Sequence, residues 1–221
     1  MNEIELKRAS ILTLGEEDLS WSKDVLSDFF FAGRECSFIF PTELEEDILL
    51  LYTSSSISTK KVQKLISRLP FPLKDIDEFF FLAKRLKDAY KKADVLICDA
   101  KRSTKQKKIL YRLDPSKEVV FARVFSDFTF LNEVIDEKRI LHITNEKHSH
   151  DLEALFNLEL FLVPFTSALE YQTWFEWFDL LKMKIMTLDF DIAFVSLGIL
   201  SDPLCEFISS TLHKIAISKG E

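Results

Sequence analysis

The sequence predicts an α/β fold built on a mostly parallel sheet with helices on both faces. Three observations carry that prediction. Short apolar or β-branched runs alternate with longer amphipathic stretches along the chain, which is the order of strands joined by crossover helices. Two short runs, Val95-Leu96-Ile97-Cys98 and Ile192-Ala193-Phe194-Val195-Ser196-Leu197-Gly198, are apolar without alternation, as strands buried on both faces are. Two of the strand ends lead straight into helix-start chemistry, at Pro41-Thr42-Glu43-Leu44-Glu45 and at Ser201-Asp202-Pro203.

From the amino terminus, the amphipathic stretch 22–32 predicts a helix and the apolar run 37–40 the first strand. Thr42 then stands at an N-cap with Glu45 at N3, a T-x-x-E capping box that opens a helix over 43–52. The Ser/Thr run 53–59 ends it. Helices follow at 60–67 and 74–92, separated by Pro70-Phe71-Pro72, so 53–92 reads as a helical insertion or lid on a single domain spanning 1–221. Strands at 95–98 and 119–124 come next, then a helix at 127–135, a strand at 140–144, a helix at 151–156 and a strand at 160–163. The stretch 168–186 predicts a helix with Tyr171, Trp174, Trp177 and Phe178 along one face. A strand at 192–197 leads to Asp202 as N-cap and Pro203 at N1 of a helix over 203–212, and 215–217 is the last strand. The whole is a Rossmann-like arrangement. In such open sheets, ligands bind outside the carboxyl ends of the strands.

Composition narrows the function. The chain of 221 residues holds only 4 glycines, Gly15, Gly33, Gly198 and Gly220, where average usage predicts roughly fifteen. Neither G-x-G-x-x-G nor G-x-x-x-x-G-K-[ST] occurs, which disfavours the usual dinucleotide-binding enzymes and P-loop NTPases. A net charge of −7 argues against a nucleic-acid partner. The 3 cysteines, Cys36, Cys98 and Cys205, sit apart in apolar contexts and read as buried, reduced thiols. The first residues are acidic where a signal peptide starts basic, and no apolar window is long enough to span a bilayer, so no transmembrane segment and a cytoplasmic location are expected. G-x-S-x-G and H-E-x-x-H are also missing, which leaves hydrolase chemistry without an anchor.

Four constellations remain. Glu43 and Glu45 follow the first strand and are suited to a divalent cation shared with substrate phosphates, or to capping and charging the first helical turn. Lys101, Arg102, Lys105, Lys107 and Lys108 follow the strand that closes on Asp99, suited to a diphosphate or to a solvated helix face. His148 and His150, with Asp151, lack further ligands at a metal-site spacing and read as a surface helix start. The aromatic stripe reads as core or interface before it reads as a sugar platform.

The carboxyl-terminal third carries a resemblance. Trp177-Phe178-Asp179, the strand Asp189-Phe190-Asp191-Ile192-Ala193-Phe194-Val195-Ser196-Leu197-Gly198, then Pro203-Leu204 and Lys214-Ile215-Ala216-Ile217 follow one another in order. This order resembles the end of the GT-D-type bacterial glycosyltransferases, which include the glucosyltransferases of serine-rich-repeat adhesin glycosylation. The family's D-x-E motif, in a context like RFGDGE, falls on Phe40-Pro41-Thr42-Glu43-Leu44-Glu45, with Glu43 in the Asp place and Glu45 in the Glu place.

The resemblance implies transfer of a sugar from a UDP-sugar to a hydroxyl acceptor on a glycan or protein. Mn²⁺ or Mg²⁺ would be held through Glu43 and Glu45, which become the catalytic pair. Asp99, Lys101, Arg102, Ser196, Gly198 and Asp202, all near strand ends, are the expected nucleotide-sugar contacts. Phe40 stands where the family has arginine, and Thr42 and Leu44 where it has glycines. The alternative is therefore a catalytically degenerate relative that acts as a binding or assembly subunit. It would form homo- or hetero-oligomers through an aromatic surface at Phe29–Phe31, Phe79–Phe81 or Trp174/Trp177.

Overall fold

The computed structural model describes residues 37–39, 42–93, 95–99, 105, 108–109, 112–113, 119–122, 138–145 and 158–218. Seven described strands form one sheet: β1 (Ser37–Ile39), β2 (Val95–Asp99), β3 (Val119–Ala122), β4 (Ile140–Thr144), β5 (Leu158–Leu162), β6 (Ile192–Ser196) and β7 (Ile215–Ser218). Their order is β3-β2-β1-β7-β6-β4-β5, and every pairing is parallel. The α/β prediction holds, and the sheet is parallel throughout its described strands. β1 lies between β2 and the last strand, β7, so the start and the end of the described chain meet there. The connections that leave β1 and β6 both run toward the β3 edge, whereas the one that leaves β4 runs toward β5, so they diverge between β4 and β6, which is where open sheets of this class form a crevice.

The described helices are α1 (Glu43–Tyr52), α2 (Thr59–Ile66), α3 (Ile76–Lys92), α4 (Trp174–Met186) and α5 (Ser201–Leu212). Helical residues also occur at 105, 108–109 and 112–113. The predicted helices at 22–32, 127–135 and 151–156 lie outside the described residues.

Strand periodicity sets the core. On β4, β6 and β7, Leu141, Ile143, Ala193, Val195 and Ala216 turn to the side where Ile48, Leu49, Phe79, Leu82, Leu86, Leu204 and Ile208 pack. Residues two apart share a sheet face, and α5 rests on β1, β6 and β7. The segment between α1 and β2 joins the same core. Phe71 lies 5.7 Å from Trp174 and Phe81 lies 5.9 Å from it, ring centre to ring centre. Such tilted pairs each contribute about 0.5–1.5 kcal/mol beyond area burial.

α3 starts at Ile76 rather than 74 and β5 at Leu158 rather than 160, and two further helix starts differ from expectation. The helix predicted from 168 starts at Trp174, after a 3₁₀ helix at Phe165–Glu170. Thr173 is the N-cap, and its hydroxyl accepts from the Glu176 N–H at 3.2 Å. That bond satisfies a first-turn donor and fixes the start there. α5 begins two residues earlier than expected. A short 3₁₀ turn at Gly198–Leu200 runs into it, so Leu200 is the N-cap and Asp202 sits inside the first turn. Pro203 is still tolerated, because first-turn N–H groups have no intrahelical acceptor.

The aromatic contact surface is also corrected. Trp174 and Trp177 are 2% and 4% exposed and Phe79 is fully buried, so these rings build core rather than a docking face. Phe29, Phe30 and Phe31 lie outside the described residues.

At the amino edge of the sheet, Arg139 binds the two acids that precede β6. Its backbone N–H donates to Asp191 Oδ2 at 2.9 Å, its Nε and Nη2 reach Asp191 at 3.2 Å each, and Nη1 pairs with Asp189. This stitch joins the amino ends of β4 and β6, whose register is Ile140 opposite Ile192.

Candidate functional site

All the strands are parallel, so their carboxyl ends share one edge. Three connections there carry the residues picked out from the sequence. β1 leads into α1, which bears Glu43 and Glu45. β2 closes on Asp99, β6 on Ser196, and the turn after β6 carries Gly198 and then Asp202. β7 ends on Ser218 beside them.

The first turn of α1 is a complete capping box. Thr42 Oγ1 accepts from the Glu45 N–H at 3.3 Å, and Glu45 Oε2 accepts from the Thr42 N–H at 2.5 Å. Two residues apart, Glu43 and Glu45 point about 200° apart around the helix. Glu45 is fully buried while Glu43 is exposed. The two carboxylates do not converge.

Glu45 faces Asp202 instead. Both are fully buried. Burial, and then the Glu45 carboxyl beside it, hold Asp202 well above the ordinary carboxylate range, while the Ser218 hydroxyl pulls the other way. Burial likewise pushes the Cys205 thiol up, with Asp202 and Glu45 adding to it. Cys205 is buried and free, as expected. The side chain of Cys98, and Cys36 altogether, lie outside the described residues.

These residues do not fit a divalent cation. Mg²⁺ and Mn²⁺ favour ionised oxygen ligands and usually retain waters. Here one Glu45 oxygen is held by the cap, Asp202 favours its protonated form, and neither side chain reaches solvent. No three His, Cys, Asp or Glu side chains gather to hold a metal among the described residues.

The turn after β6 is built differently. Ser196 is buried, and its Oγ lies 3.0 Å from His142 Nε2 on neighbouring β4. The Leu197 N–H donates to Ser201 Oγ at 2.8 Å, which closes the turn. Gly198 adopts φ +51°, and a Cβ added there would meet nothing within 4 Å. The glycine therefore answers a backbone need, and the space outside it is open. His142, Ser201 and Ser218 were not foreseen as parts of this edge. The signal for His142 was a lone polar residue inside the apolar run Ile140-Leu141-His142-Ile143-Thr144.

Of the basic run, Lys105 is committed to α1. Its Nζ lies 2.7 Å from Asp47 and 3.4 Å from buried Glu46. Lys108 is exposed. Lys101, Arg102 and Lys107 lie outside the described residues, as do His148, His150 and Asp151, and of Asp99 only the backbone is described.

No curated protein and no solved structure matches the chain. The model of one family, the GT-D fold-like domain, matches residues 84–221. That segment holds β2 to β7, with Asp99, Ser196, Gly198 and Asp202, whereas Glu43 and Glu45 precede it. The match spans more than half of the sequence and agrees with the parallel α/β architecture, and the chain belongs to the GT-D fold-like domain family.

Proposed function

We propose that this protein is a glycosyltransferase-type enzyme that binds a UDP-sugar at the carboxyl edge of its sheet. It passes the sugar to a hydroxyl acceptor on a glycan or protein. The supporting observation is the placement of Ser196, Gly198 and Asp202 on the connection from β6 to α5, inside the family-matched segment and beside the divergence between β4 and β6. The diphosphate lies against the open backbone at Gly198, in the turn that leads into α5. Lys101 and Arg102 balance the phosphate charge, and Asp99 and Glu43, the latter exposed, take donor or acceptor hydroxyls.

In the transfer, the bond between the anomeric carbon and the β-phosphate oxygen breaks, and its electron pair leaves with UDP. The acceptor oxygen bonds to that carbon and its proton passes to water. Cations placed where negative charge grows on the leaving phosphate lower the barrier. The resemblance implies Mn²⁺ or Mg²⁺, which would supply further charge neutralisation.

A second reading has its own observation. Glu45 is locked into the capping box and sealed against Asp202, the arrangement of a degenerate relative that binds without catalysis.

Calorimetry with UDP and a UDP-sugar, with and without Mn²⁺, tests both. Donor binding is expected in the wild type. It should weaken about tenfold or more in Lys101→Ala/Arg102→Ala, a loss of about 1.4 kcal/mol or more. A requirement for Mn²⁺ that Glu43→Gln abolishes would return Glu43 to a metal role. A folded wild type that binds no UDP under either condition supports the non-catalytic reading.

A further inference from the structure

His142 is the only ionisable residue of the strands β4, β6 and β7, and it is fully buried. A polar ring in such a place is unfavourable unless it is hydrogen-bonded. Around it stand Ile140, Ile192 and Phe194, so an apolar side chain would serve the packing of the strands. His142 lies opposite Phe194 in the register, and its ring reaches diagonally to Ser196 on the same face of the sheet. Nε2 and the Ser196 hydroxyl are 3.0 Å apart.

The place of this bond gives it a use. Thr144 and Ser196 are the last registered pair of β4 and β6. Beyond them the chain leaves β4 toward β5 and leaves β6 toward β7, in opposite directions across the sheet. The bond therefore joins the two strands at the root of the crevice. One residue further on, the Leu197 N–H donates to Ser201 Oγ at 2.8 Å. Gly198 follows at φ +51°, with open space outside it. The turn is thus held at two points, by His142 across the sheet and by Ser201 along the chain. Backbone fixed in advance loses less conformational freedom when a ligand binds. Ser196 is itself 2% exposed, so it acts through the turn and not by touching a ligand.

We propose that His142 is a positioning residue of the donor site: through Ser196 it holds the Gly198 turn in the arrangement that receives the diphosphate of a nucleotide-sugar. The inference rests on the donor-binding reading above and adds to it a residue that reaches no ligand itself.

Calorimetry with UDP, beside hydrogen exchange of the amides at 197–200, tests it on the full chain. His142→Phe keeps a ring and removes the bond. It should bind UDP about tenfold more weakly and exchange those amides about tenfold faster than wild type. Ser196→Ala removes only a hydroxyl, so it carries the test if the larger ring is not accommodated; it should weaken binding to the same extent. The double variant should be no weaker than either single, because both remove one bond. His142→Gln sets an amide near the place of Nε2 and should bind within about threefold of wild type, a rescue that a purely structural role would not give. Wild-type affinity in His142→Phe or Ser196→Ala overturns the positioning role while leaving the donor site standing. So does a loss that His142→Gln fails to rescue, or one that adds up in the double variant. A folded wild type that binds no UDP, with or without Mn²⁺, overturns both this role and the donor reading.

Discussion

Asp202 shows most directly what burial does to one side chain. Its folded carboxyl is raised above the ordinary value of 3.8, first by burial and then by Glu45. A raised acid means that the folded state binds more protons than the unfolded one above pH 3.8, so stability falls as pH rises from there towards the folded value. Asp202→Asn removes that proton linkage while keeping the shape. The variant should melt higher than wild type at pH 8, and the gap should close as pH approaches 4. In a chain of this size each kcal/mol relieved is worth about 2–4 °C. Thermal melts of both proteins across this range check it. A variant less stable than wild type at pH 8 would mean that the carboxyl makes a hydrogen bond that the amide cannot replace, such as that with Ser218, and that its loss outweighs the proton linkage. Asp47 has the opposite sign. Burial raises it, but Lys105 and Arg68 lower it further, so its contribution is present above pH 3.8 and lost as pH falls through the folded value. Asp47 is partly exposed, and screening keeps that contribution small.

At the scale of elements, local chemistry decided what the sequence could reveal. Each of the seven described strands coincides with a predicted run, because β-branched and apolar runs between turn signals have few other stable uses. The capping box at Thr42 and Glu45 was legible because both of its bonds lie within one turn. Asp202 was misplaced as an N-cap because the short 3₁₀ turn at Gly198–Leu200 makes a helix start without any side-chain cap. The pairing of Glu45 with Asp202 could not be read at all, since it joins residues far apart in the chain and depends on β1 lying against β7. The cap gives the test at this scale. Thr42→Ala leaves the Glu45 N–H without its acceptor and should cost about 1 kcal/mol. Phe79→Ala, in the fully buried middle of the α1–α3 packing, should cost about 3–5 kcal/mol. Denaturant titration should show lower midpoints with unchanged slopes in both. A loss at Thr42 as large as that at Phe79 would mean that the cap also positions Glu45 for a wider network.

At the scale of the whole molecule, the open question is whether residues 53–92 behave as a lid or as part of the core. Two arrangements are physically distinct. A lid sits at the low-stability end of the molecule and opens before the rest unfolds. A core element unfolds only with the sheet. The geometry favours the second, since Phe71, Phe79, Leu82 and Leu86 belong to one continuous cluster with Trp174 and the inner residues of β4, β6 and β7. Trp174 reports on that junction because Phe71 and Phe81 both lie against its ring. In a Trp21→Phe background, the fluorescence of Trp174 and Trp177 and the far-ultraviolet dichroism should follow one urea transition with a single midpoint. A fluorescence change that precedes the loss of dichroism would make the segment a separately opening lid. The same measurement made with UDP binds this scale to the proposed site. At about 100 times its dissociation constant, a ligand that binds only the folded state adds about 2.7 kcal/mol. If α3, α5 and the sheet form one unit, that gain must appear at both probes together. A ligand-induced shift confined to dichroism would show that the carboxyl edge and the aromatic junction do not share one transition.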